Sequence, residues 1–340
     1  MASAMGVDKR IPVTVVTGFL GSGKTTLLNR VLSAPEAARM AVVVNEIGEV
    51  GMDHRLIRHV HSNVILLESG CVCCSVRGDL VDTLRDLFMA SLHREIAPLS
   101  RVLIETTGMA DPAPIMYTLQ YERFLCERYV YDGCITVFDS VHGAQQLARH
   151  PEALQQAALA DAIVFSKTDL ADAAERTVLD AAVSRINADA PRYDIHARPT
   201  LADLVTASSA HKNMLAGTPR PARGLWTAAG PAVSRHSDVH VLTLSGFVPL
   251  ARGAFLRAMS VLLPLGGADL LRMKGLVRFR GEKAFSVVHG VHQQLYPIEP
   301  WMGDSDSGVG LTDGDSALVF ILRGGDPAGF ERKARDLLCM

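Results

Sequence analysis

The sequence predicts an α/β protein with a doubly wound, mostly parallel sheet, followed by a smaller C-terminal α+β domain. From residue 11 to about residue 190, short apolar runs alternate with segments of helical periodicity, which is typical of strand-helix units in a parallel sheet. Residues 200–238 are rich in Ala, Ser, Pro and Gly and lose this periodicity, which indicates a linker or an irregular excursion. We therefore expect one domain over residues 1–199 and a second over residues 239–340.

The composition narrows the classes of partner. The chain of 340 residues has a net charge of -2 at pH 7, which provides no basic surface for nucleic acid or for an anionic membrane. Residues 1–10 lack the apolar core of a signal peptide, and no apolar run approaches the ~20 residues that a membrane span needs. We expect a cytoplasmic protein that binds neither nucleic acid nor membranes.

A glycine-rich loop follows the first apolar run. Residues 11–16 lead into Gly-Phe-Leu-Gly-Ser-Gly-Lys-Thr at residues 18–25, and a helical pattern comes next. This is a P-loop of the kind found in P-loop NTPases, in the strand-to-helix position that it requires. Its backbone NH groups would face phosphate oxygens, Lys24 would reach the terminal phosphates, and the Thr25 hydroxyl would bind Mg²⁺. The predicted nucleotide-binding residues of this loop are Gly18, Gly21, Ser22, Gly23, Lys24, Thr25 and Thr26.

Acidic residues follow two further predicted strands. Residues 40–44 lead into a loop that contains Glu46 and Asp53, and residues 101–104 lead into Glu105 and Gly108. Ligands of open α/β sheets bind outside the carboxyl ends of the strands, so both loops should lie near the P-loop. Glu105 would place a carboxylate near Mg²⁺ or the attacking water, and the NH of Gly108 could reach a γ-phosphate. For the loop with Glu46, an exposed acidic turn is the alternative.

Three of the six cysteines are clustered. Residues 63–67 form a predicted strand, Cys71, Cys73 and Cys74 follow it, and a helical pattern begins near Leu80. Thiolates are soft ligands that suit Zn²⁺ and similar ions, and a helix N-terminus favours their deprotonation. The cluster therefore predicts a transition-metal site, with structural or redox-active cysteines as the alternatives. The remaining cysteines are scattered, which excludes a disulfide framework.

A base-reading motif follows the sixth predicted strand. Residues 133–138 and 162–165 form the fifth and sixth strands, and Ser166-Lys167-Thr168-Asp169 comes directly after the sixth. The Asp169 carboxylate can accept hydrogen bonds from the ring NH and the amine of guanine, and the stem of Lys167 can stack on the base. This segment resembles the Asn-Lys-x-Asp motif of GTPases with Ser in place of Asn, so it favours GTP over ATP. A polar strand end that caps the next helix is the alternative.

The second domain carries no recognisable catalytic group of residues. Its predicted strands are residues 239–244, 276–279, 284–288 and 317–322, and its predicted helices are residues 255–263 and 327–338. Five histidines lie near the loops or the linker, and they could be additional metal ligands or ordinary solvated or core histidines. None of the five has a tight metal-ligand spacing with a second anchor. They are His54, His59, His61, His236 and His240.

Taken together, four blocks of the sequence resemble the CobW family of P-loop GTPases. These are residues 18–29, 45–51, 70–80 and 105–112, and residues 271–276 are similar to a segment of the family's second domain. The resemblance implies a metallochaperone that binds zinc or cobalt at the Cys-x-Cys-Cys loop and couples the affinity for the metal to GTP binding and hydrolysis. It assigns Glu46 and Asp53 to the first switch loop, and Glu105 and Gly108 to the second. The chain lacks the long His-rich tract of many relatives, which argues against metal storage.

The leading prediction is a GTPase that delivers a transition metal to a client metalloprotein. Its cofactors would be GTP, Mg²⁺ and Zn²⁺ or Co²⁺, and its catalytic residues would be Lys24, Glu105 and Glu46. The chain could form a nucleotide-dependent homodimer. The alternative is a nucleotide-gated, metal-dependent regulatory or assembly module in which GTP hydrolysis is incidental.

Overall fold

The structure is a computed structural model that describes residues 9–46, 64–68, 75–210, 239–301 and 316–339. Two compact units account for these residues. The first comprises the described parts of residues 1–143, 160–176 and 190–206, and the second those of residues 144–159, 177–189 and 207–340. The domain limits that the sequence predicts, at residues 199 and 239, stay a prediction.

Within the described residues, the first sheet has seven strands. They are β1 (Ile11–Thr17), β2 (Met40–Glu46), β3 (Val64–Glu68), β4 (Arg101–Glu105), β5 (Tyr129–Asp139), β6 (Ala162–Ser166) and β7 (Arg192–Asp194). Their order is β3-β2-β4-β1-β5-β6-β7, and all neighbouring strands are parallel. Because the chain moves outward in both directions from β1, the sheet is doubly wound, which confirms the predicted fold class.

Helices and short 3-10 turns connect these strands. The helices are α1 (Lys24–Leu32), α2 (Ser75–Leu92), α3 (Ala113–Tyr121), α4 (Arg123–Arg128), α5 (Gly143–Arg149), α6 (Pro151–Leu159), α7 (Ala173–Ile186) and α8 (Leu201–Ala210), and the turns are Pro35–Arg39 and Ile195–Ala197. Val13 and Val15 on β1 pack in one buried cluster with Leu80 and Leu84 on α2. Alternate residues of a strand point to one face, so these valines anchor α2 to the sheet. Such burial contributes about 1.5–3 kcal/mol per large aliphatic side chain.

The second sheet has six strands in the described part of the chain. They are β8 (Val239–Ser245), β9 (Leu270–Arg278), β10 (Phe285–Val291), β11 (Gln294–Leu295), β12 (Glu299–Pro300) and β13 (Ala317–Arg323). Their order is β11-β10-β9-β13-β8, with β12 beside β10, and all pairs are antiparallel. Helices α9 (Arg252–Gly266) and α10 (Pro327–Leu337) contribute Phe255 and Phe330 to the core of this sheet. This architecture confirms the predicted α+β unit.

Two strands differ from their predicted limits. Strand β5 begins at Tyr129 rather than at residue 133, because Asp132, which interrupts the apolar pattern, forms a 2.7 Å ion pair with Arg101. Strand β9 begins at Leu270 rather than at residue 276, because the charged side chain of Arg272 is buried and donates a 3.1 Å hydrogen bond to the carbonyl of Ala158 within the second unit. In both strands a partner distant in sequence satisfies the charge.

Strands β11 and β12, which have two residues each, were not predicted, and neither was the short strand β7. It has three residues, Arg-Tyr-Asp, whose polarity and length give no periodic signal. Among the helices of the described residues, none combines the length and apolar character that crossing a membrane requires.

Candidate functional site

The carboxyl ends of the parallel strands bring the predicted nucleotide loops to one edge of the first sheet. The P-loop follows β1, Glu105 ends β4, Asp139 ends β5, and Ser166 ends β6. Since β1 lies between β4 and β5, the P-loop is at the centre of this edge, with Glu105 on one side and the base-reading segment on the other. This reversal point of the strand order is where open α/β sheets bind ligands.

The P-loop is shaped by a glycine and by its own lysine. Gly18 has φ of +144°, and a Cβ atom there would clash with the carbonyl oxygen of Val137, so only glycine fits. Lys24 begins α1 and is 8% exposed, and its Nζ donates hydrogen bonds to the carbonyls of Gly18 at 2.9 Å and Phe19 at 3.2 Å. The loop thus encloses a cation next to the NH groups of the first helical turn, which is an arrangement suited to phosphate.

Glu105 lies against the P-loop. Its Oε1 accepts a hydrogen bond from the Thr25 hydroxyl at 3.3 Å, and the residue is 7% exposed. Beneath them, Thr106 donates a 2.8 Å hydrogen bond to the hydroxyl of Thr17, which joins the ends of β4 and β1. A hydroxyl and a carboxylate in contact are hard oxygen ligands, so Thr25 and Glu105 have the chemistry to hold Mg²⁺ directly or through water.

Gly108 is in contact with the P-loop backbone. A Cβ atom at this position would lie 2.5 Å from the backbone nitrogen of Leu20 and 2.7 Å from its Cα. Backbone atoms cannot move aside cheaply, so this position requires glycine. Any larger residue at position 108 would therefore push the loop after β4 and the P-loop apart.

We expect Gly108→Ala to reduce the preference of the protein for GTP over GDP. The clash with Leu20 should push the loop away from the proposed γ-phosphate position, so the preference for GTP over GDP should fall by about 10-fold, the loss of one hydrogen bond to a charged group. Equilibrium titration with both nucleotides measures this ratio. The control is Gly78→Ala, because Gly78 is exposed on α2 and a Cβ there meets nothing within 4 Å. An unchanged ratio in the Gly108 variant would contradict the predicted contact.

The serine of the base-reading motif joins that motif to the P-loop. Ser166 Oγ donates to the carbonyl of Ser22 at 2.5 Å and lies 3.2 Å from the carbonyl of Phe138. A Cβ atom added at Gly23 would lie 3.3 Å from Ser166, so the two loops are closely packed. In this chain Ser therefore links the phosphate and base segments at the position where other GTPases have Asn.

Lys167 is anchored by a buried carboxylate. Its Nζ forms a 2.7 Å ion pair with Asp139, which is 2% exposed and also accepts hydrogen bonds from the backbone NH groups of Val141 and His142. Burial opposes ionisation of Asp139, but the hydrogen bond from Lys167 and those from the two NH groups outweigh burial and lower the pKa of the carboxyl. Anchoring at the ammonium group holds the aliphatic stem of Lys167 in place.

Asp169 contacts a histidine from the next strand end. His196 Nε2 lies 2.9 Å from Asp169 Oδ1, and both side chains are more than half exposed. The hydrogen bond from His196, and after it one from the backbone NH of Asp169, lowers the pKa of this carboxyl. Asp169 is thus an exposed anion with one side held by a partner.

Sequence reasoning missed several side chains of this edge. Asp139 was given no role, Ser166 appeared only as the residue in place of Asn in the base-reading motif, and neither Asp194 nor His196 was noticed. Asp139 had a detectable signal, because a carboxylate that ends an apolar strand beside a P-loop resembles Glu105. His196 had no such signal in the sequence, because its position depends on β7, which was not predicted.

Several predicted site residues lie outside the described residues. They are Asp53, His54, His59, His61, Cys71, Cys73, Cys74 and His236. Glu46 is described only as the last residue of β2, and β3, which precedes the cysteines in sequence, pairs with β2 on the same sheet. The other predicted residues are placed as follows: Gly21 and Thr26 are exposed at the P-loop, and His240 is exposed on β8. Within the described ranges, no cluster of three or more His, Cys, Asp or Glu residues could hold a metal ion.

Comparison with known proteins gives relatives over nearly the whole chain and over about half of it. The zinc chaperone YjiA of Escherichia coli (strain K12) is 35% identical over 317 residues, which cover 92% of this chain and 93% of that protein. The zinc-regulated GTPase metalloprotein activator 1 of Schizosaccharomyces pombe is 31% identical over 184 residues, 52% of this chain and 44% of that protein. The crystal structure of Zn(II)-bound YjiA GTPase from E. coli matches 96% of this chain and 99% of its own, with a TM-score of 0.71 and 29% sequence identity.

Two domain families cover most of the sequence. Residues 12–194 match the CobW/HypB/UreG nucleotide-binding domain, and residues 239–338 match the cobalamin synthesis protein cobW C-terminal domain. The matches agree with the position of the P-loop in the first sheet and with the antiparallel sheet that follows it. The resemblance noted from the sequence is thereby confirmed: the chain belongs to the CobW family of P-loop GTPases.

Proposed function

We propose that this protein is a GTP-hydrolysing metallochaperone that binds zinc or cobalt and couples the binding and delivery of the metal to its GTP cycle. The observation that carries the proposal is the 3.3 Å contact between Thr25 and Glu105, which joins the P-loop to the end of β4. The proposed metal-binding thiols follow β3, a strand of the same sheet, in sequence. The near full-length similarity to a protein named zinc chaperone supports the same function.

The proposed nucleotide site combines four segments of the chain. Lys24 and the P-loop backbone bind the phosphates, Thr25 and Glu105 hold Mg²⁺ and its water, and the NH of Gly108 contacts the γ-phosphate. At the other end, Lys167 stacks its stem on the base while Asp169 accepts the two guanine donors. Glu46 belongs to the first switch loop, where it helps to position the catalytic water.

The proposed metal site consists of Cys71, Cys73 and Cys74, in the segment between Glu68, which ends β3, and Ser75, which begins α2. Binding of Mg²⁺ and the γ-phosphate would order the switch loops and raise the affinity for the metal, and hydrolysis would lower it again. By linkage, the metal must then raise the affinity for GTP by the same factor.

We expect replacement of all three cysteines by serine to remove the coupling between metal and nucleotide. Wild-type protein with Co²⁺ and Mg²⁺-GTP should show an intense thiolate-to-metal charge-transfer band, and its affinity for Co²⁺ should exceed that with Mg²⁺-GDP. The triple variant should lose both, while GTP binding persists because the P-loop is unchanged. The matched control replaces Cys126, Cys134 and Cys339 by serine, since these are single thiols outside the loop. Nucleotide-coupled metal binding in the first variant would overturn the proposed site.

Metal transfer distinguishes the chaperone from a regulatory module. Protein loaded with ⁶⁵Zn²⁺ is mixed with a chromogenic chelator of lower affinity than the GTP-bound site, and release of the metal is followed during GTP turnover. A chaperone should release zinc in step with phosphate production and retain it with a non-hydrolysable GTP analogue. Retention of zinc throughout turnover would favour the metal-dependent regulatory or assembly module.

The client metalloprotein, the cytoplasmic location and a nucleotide-dependent homodimer belong to the same proposal. Three large apolar side chains are exposed on loops that follow β1, β4 and β6, namely Leu20, Met109 and Leu170. Apolar side chains around the proposed nucleotide site favour a protein partner there. Light scattering with GDP and with a GTP analogue tests whether that partner is a second copy.

A further inference from the structure

A histidine holds the carboxylate that would read the base. His196 Nε2 and Asp169 Oδ1 are 2.9 Å apart, although the two residues come from different strand ends. Asp169 lies in the loop after β6, and His196 lies in the 3-10 turn Ile195–Ala197 after β7. Both side chains are exposed, 59% for Asp169 and 52% for His196, so a base could approach the carboxylate while the histidine is in place.

A second carboxylate fixes the position of that turn. Asp194 Oδ1 accepts a 2.7 Å hydrogen bond from the backbone NH of His196 and a 2.8 Å hydrogen bond from the hydroxyl of Thr168. The first bond caps the 3-10 turn, and the second ties the turn to the residue that precedes Asp169. The backbone of His196 is therefore placed relative to the base-reading loop before its side chain makes any contact.

The contact leaves room for guanine. A carboxylate has about four lone-pair positions, and guanine, with one ring NH and one amine, uses two of them. His196 occupies one position and the backbone NH of Asp169 occupies a second, so about two positions stay available, the number that guanine uses. An exposed aspartate without such a partner would lose rotational freedom when it binds the base, which weakens binding.

We propose that His196 is a positioning residue for base recognition, which holds Asp169 in the orientation that presents both carboxylate oxygens to guanine. The inference rests on the proposed role of Asp169 as the base-reading residue. His196 would thereby increase the selectivity for guanine, because the amine of guanine forms its hydrogen bond only when the second carboxylate oxygen is correctly oriented. Hypoxanthine, which lacks that amine, gains less from the same orientation.

The test is the ratio of the affinities for GTP and ITP, measured by equilibrium titration of the full chain with Mg²⁺. In His196→Ala this ratio should fall by about 3- to 10-fold, which corresponds to one hydrogen bond to a charged group in a solvent-exposed setting. His196→Gln places an amide NH donor at a similar reach and should restore most of the ratio. In an Asp169→Asn background, His196→Ala should have no further effect on the ratio.

A matched control uses a second exposed histidine-carboxylate pair. His93 Nδ1 lies 3.7 Å from Glu95 Oε1 after the end of α2, which is at the amino edge of the sheet, away from the nucleotide loops. His93→Ala should leave the ratio unchanged. Thermal unfolding of all variants shows whether each retains the fold.

The outcomes separate this inference from the function on which it rests. If Asp169→Asn lowers the GTP-to-ITP ratio but His196→Ala does not, Asp169 reads the base and the role of His196 is refuted. If His196→Ala raises the affinity for GTP, the histidine competes with the base, which also refutes the proposal. If Asp169→Asn leaves the ratio unchanged, the base-reading part of the proposed function fails, and this inference fails with it.

Discussion

Lys24→Ala should weaken GTP binding by about 100-fold or more, which is the expected effect of removing one partner from a desolvated charge pair. In the structure the Lys24 ammonium donates to the carbonyls of Gly18 and Phe19, so it is already inside the loop. On nucleotide binding these acceptors would be replaced by phosphate oxygens, with little reorganisation of the side chain. Equilibrium titration with GTP and GDP measures the effect, and both affinities should fall because Lys24 is expected to contact the β- as well as the γ-phosphate.

The control for this prediction is Lys333→Ala. Lys333 is exposed on α10, so its removal changes the net charge by the same amount without touching the P-loop. Truncation of Lys24 also deprives two loop carbonyls of a donor, and a small loss of thermal stability is therefore expected. GTP affinity within a few fold of wild type in a folded Lys24→Ala variant would rule out the assignment of this loop to phosphate.

Glu105→Gln should slow GTP hydrolysis by about 100-fold or more and leave GTP affinity nearly unchanged. Glutamine has the shape of glutamate and can keep a hydrogen bond with the Thr25 hydroxyl, which is 3.3 Å from Glu105 in the structure. What it loses is the negative charge that, in the proposed site, would attract Mg²⁺ and activate water. An interaction made mainly in the transition state lowers kcat more than it raises KM. Single-turnover phosphate release, compared with nucleotide titration, separates the two quantities.

Glu127→Gln provides the matched control. Glu127 lies near the end of α4 and is paired with Arg128 at 3.0 Å, at the amino edge of β5 and away from the P-loop. Its loss of charge should affect neither binding nor hydrolysis. Equal losses of binding and hydrolysis in the Glu105 variant would indicate that this carboxylate maintains the structure of the site rather than acting in the reaction.

Local sequence patterns were sufficient for most of the fold. Five strands of the first sheet, β1, β2, β3, β4 and β6, were predicted within about two residues of their ends, because each is an apolar run that stops at polar or glycine residues. Strands β5, β9 and β7, which were shifted or missed, contain charged residues, and β11 and β12, which were also missed, have only two residues each. A pattern based on hydrophobicity ends where Asp132 or Arg272 begins, whereas in the folded chain each of these charges has a partner.

At the edge of the first sheet that carries the predicted nucleotide loops, the sequence was likewise sufficient for some features and not for others. The P-loop, Glu105 and the base-reading motif could be identified from sequence, since each follows its own strand at a fixed offset and parallel strands end at one edge. The distances between these segments could not be predicted from the sequence. The contact of Thr25 with Glu105 and the proximity of Gly108 to Leu20 depend on β4 lying beside β1, which is a property of the strand order.

The sequence by itself determined the family and the fold class, and it predicted the residue types that would bind phosphate, guanine and a soft metal. Only the tertiary structure decided how those residues are held: Ser166 bonds to Ser22, Lys167 to Asp139, and Asp169 to His196. The physical reason is that a motif encodes the local backbone and the available chemical groups, whereas each of these pairs joins separate strand ends. Their meeting requires the whole sheet to assemble, so no local pattern in the chain records it.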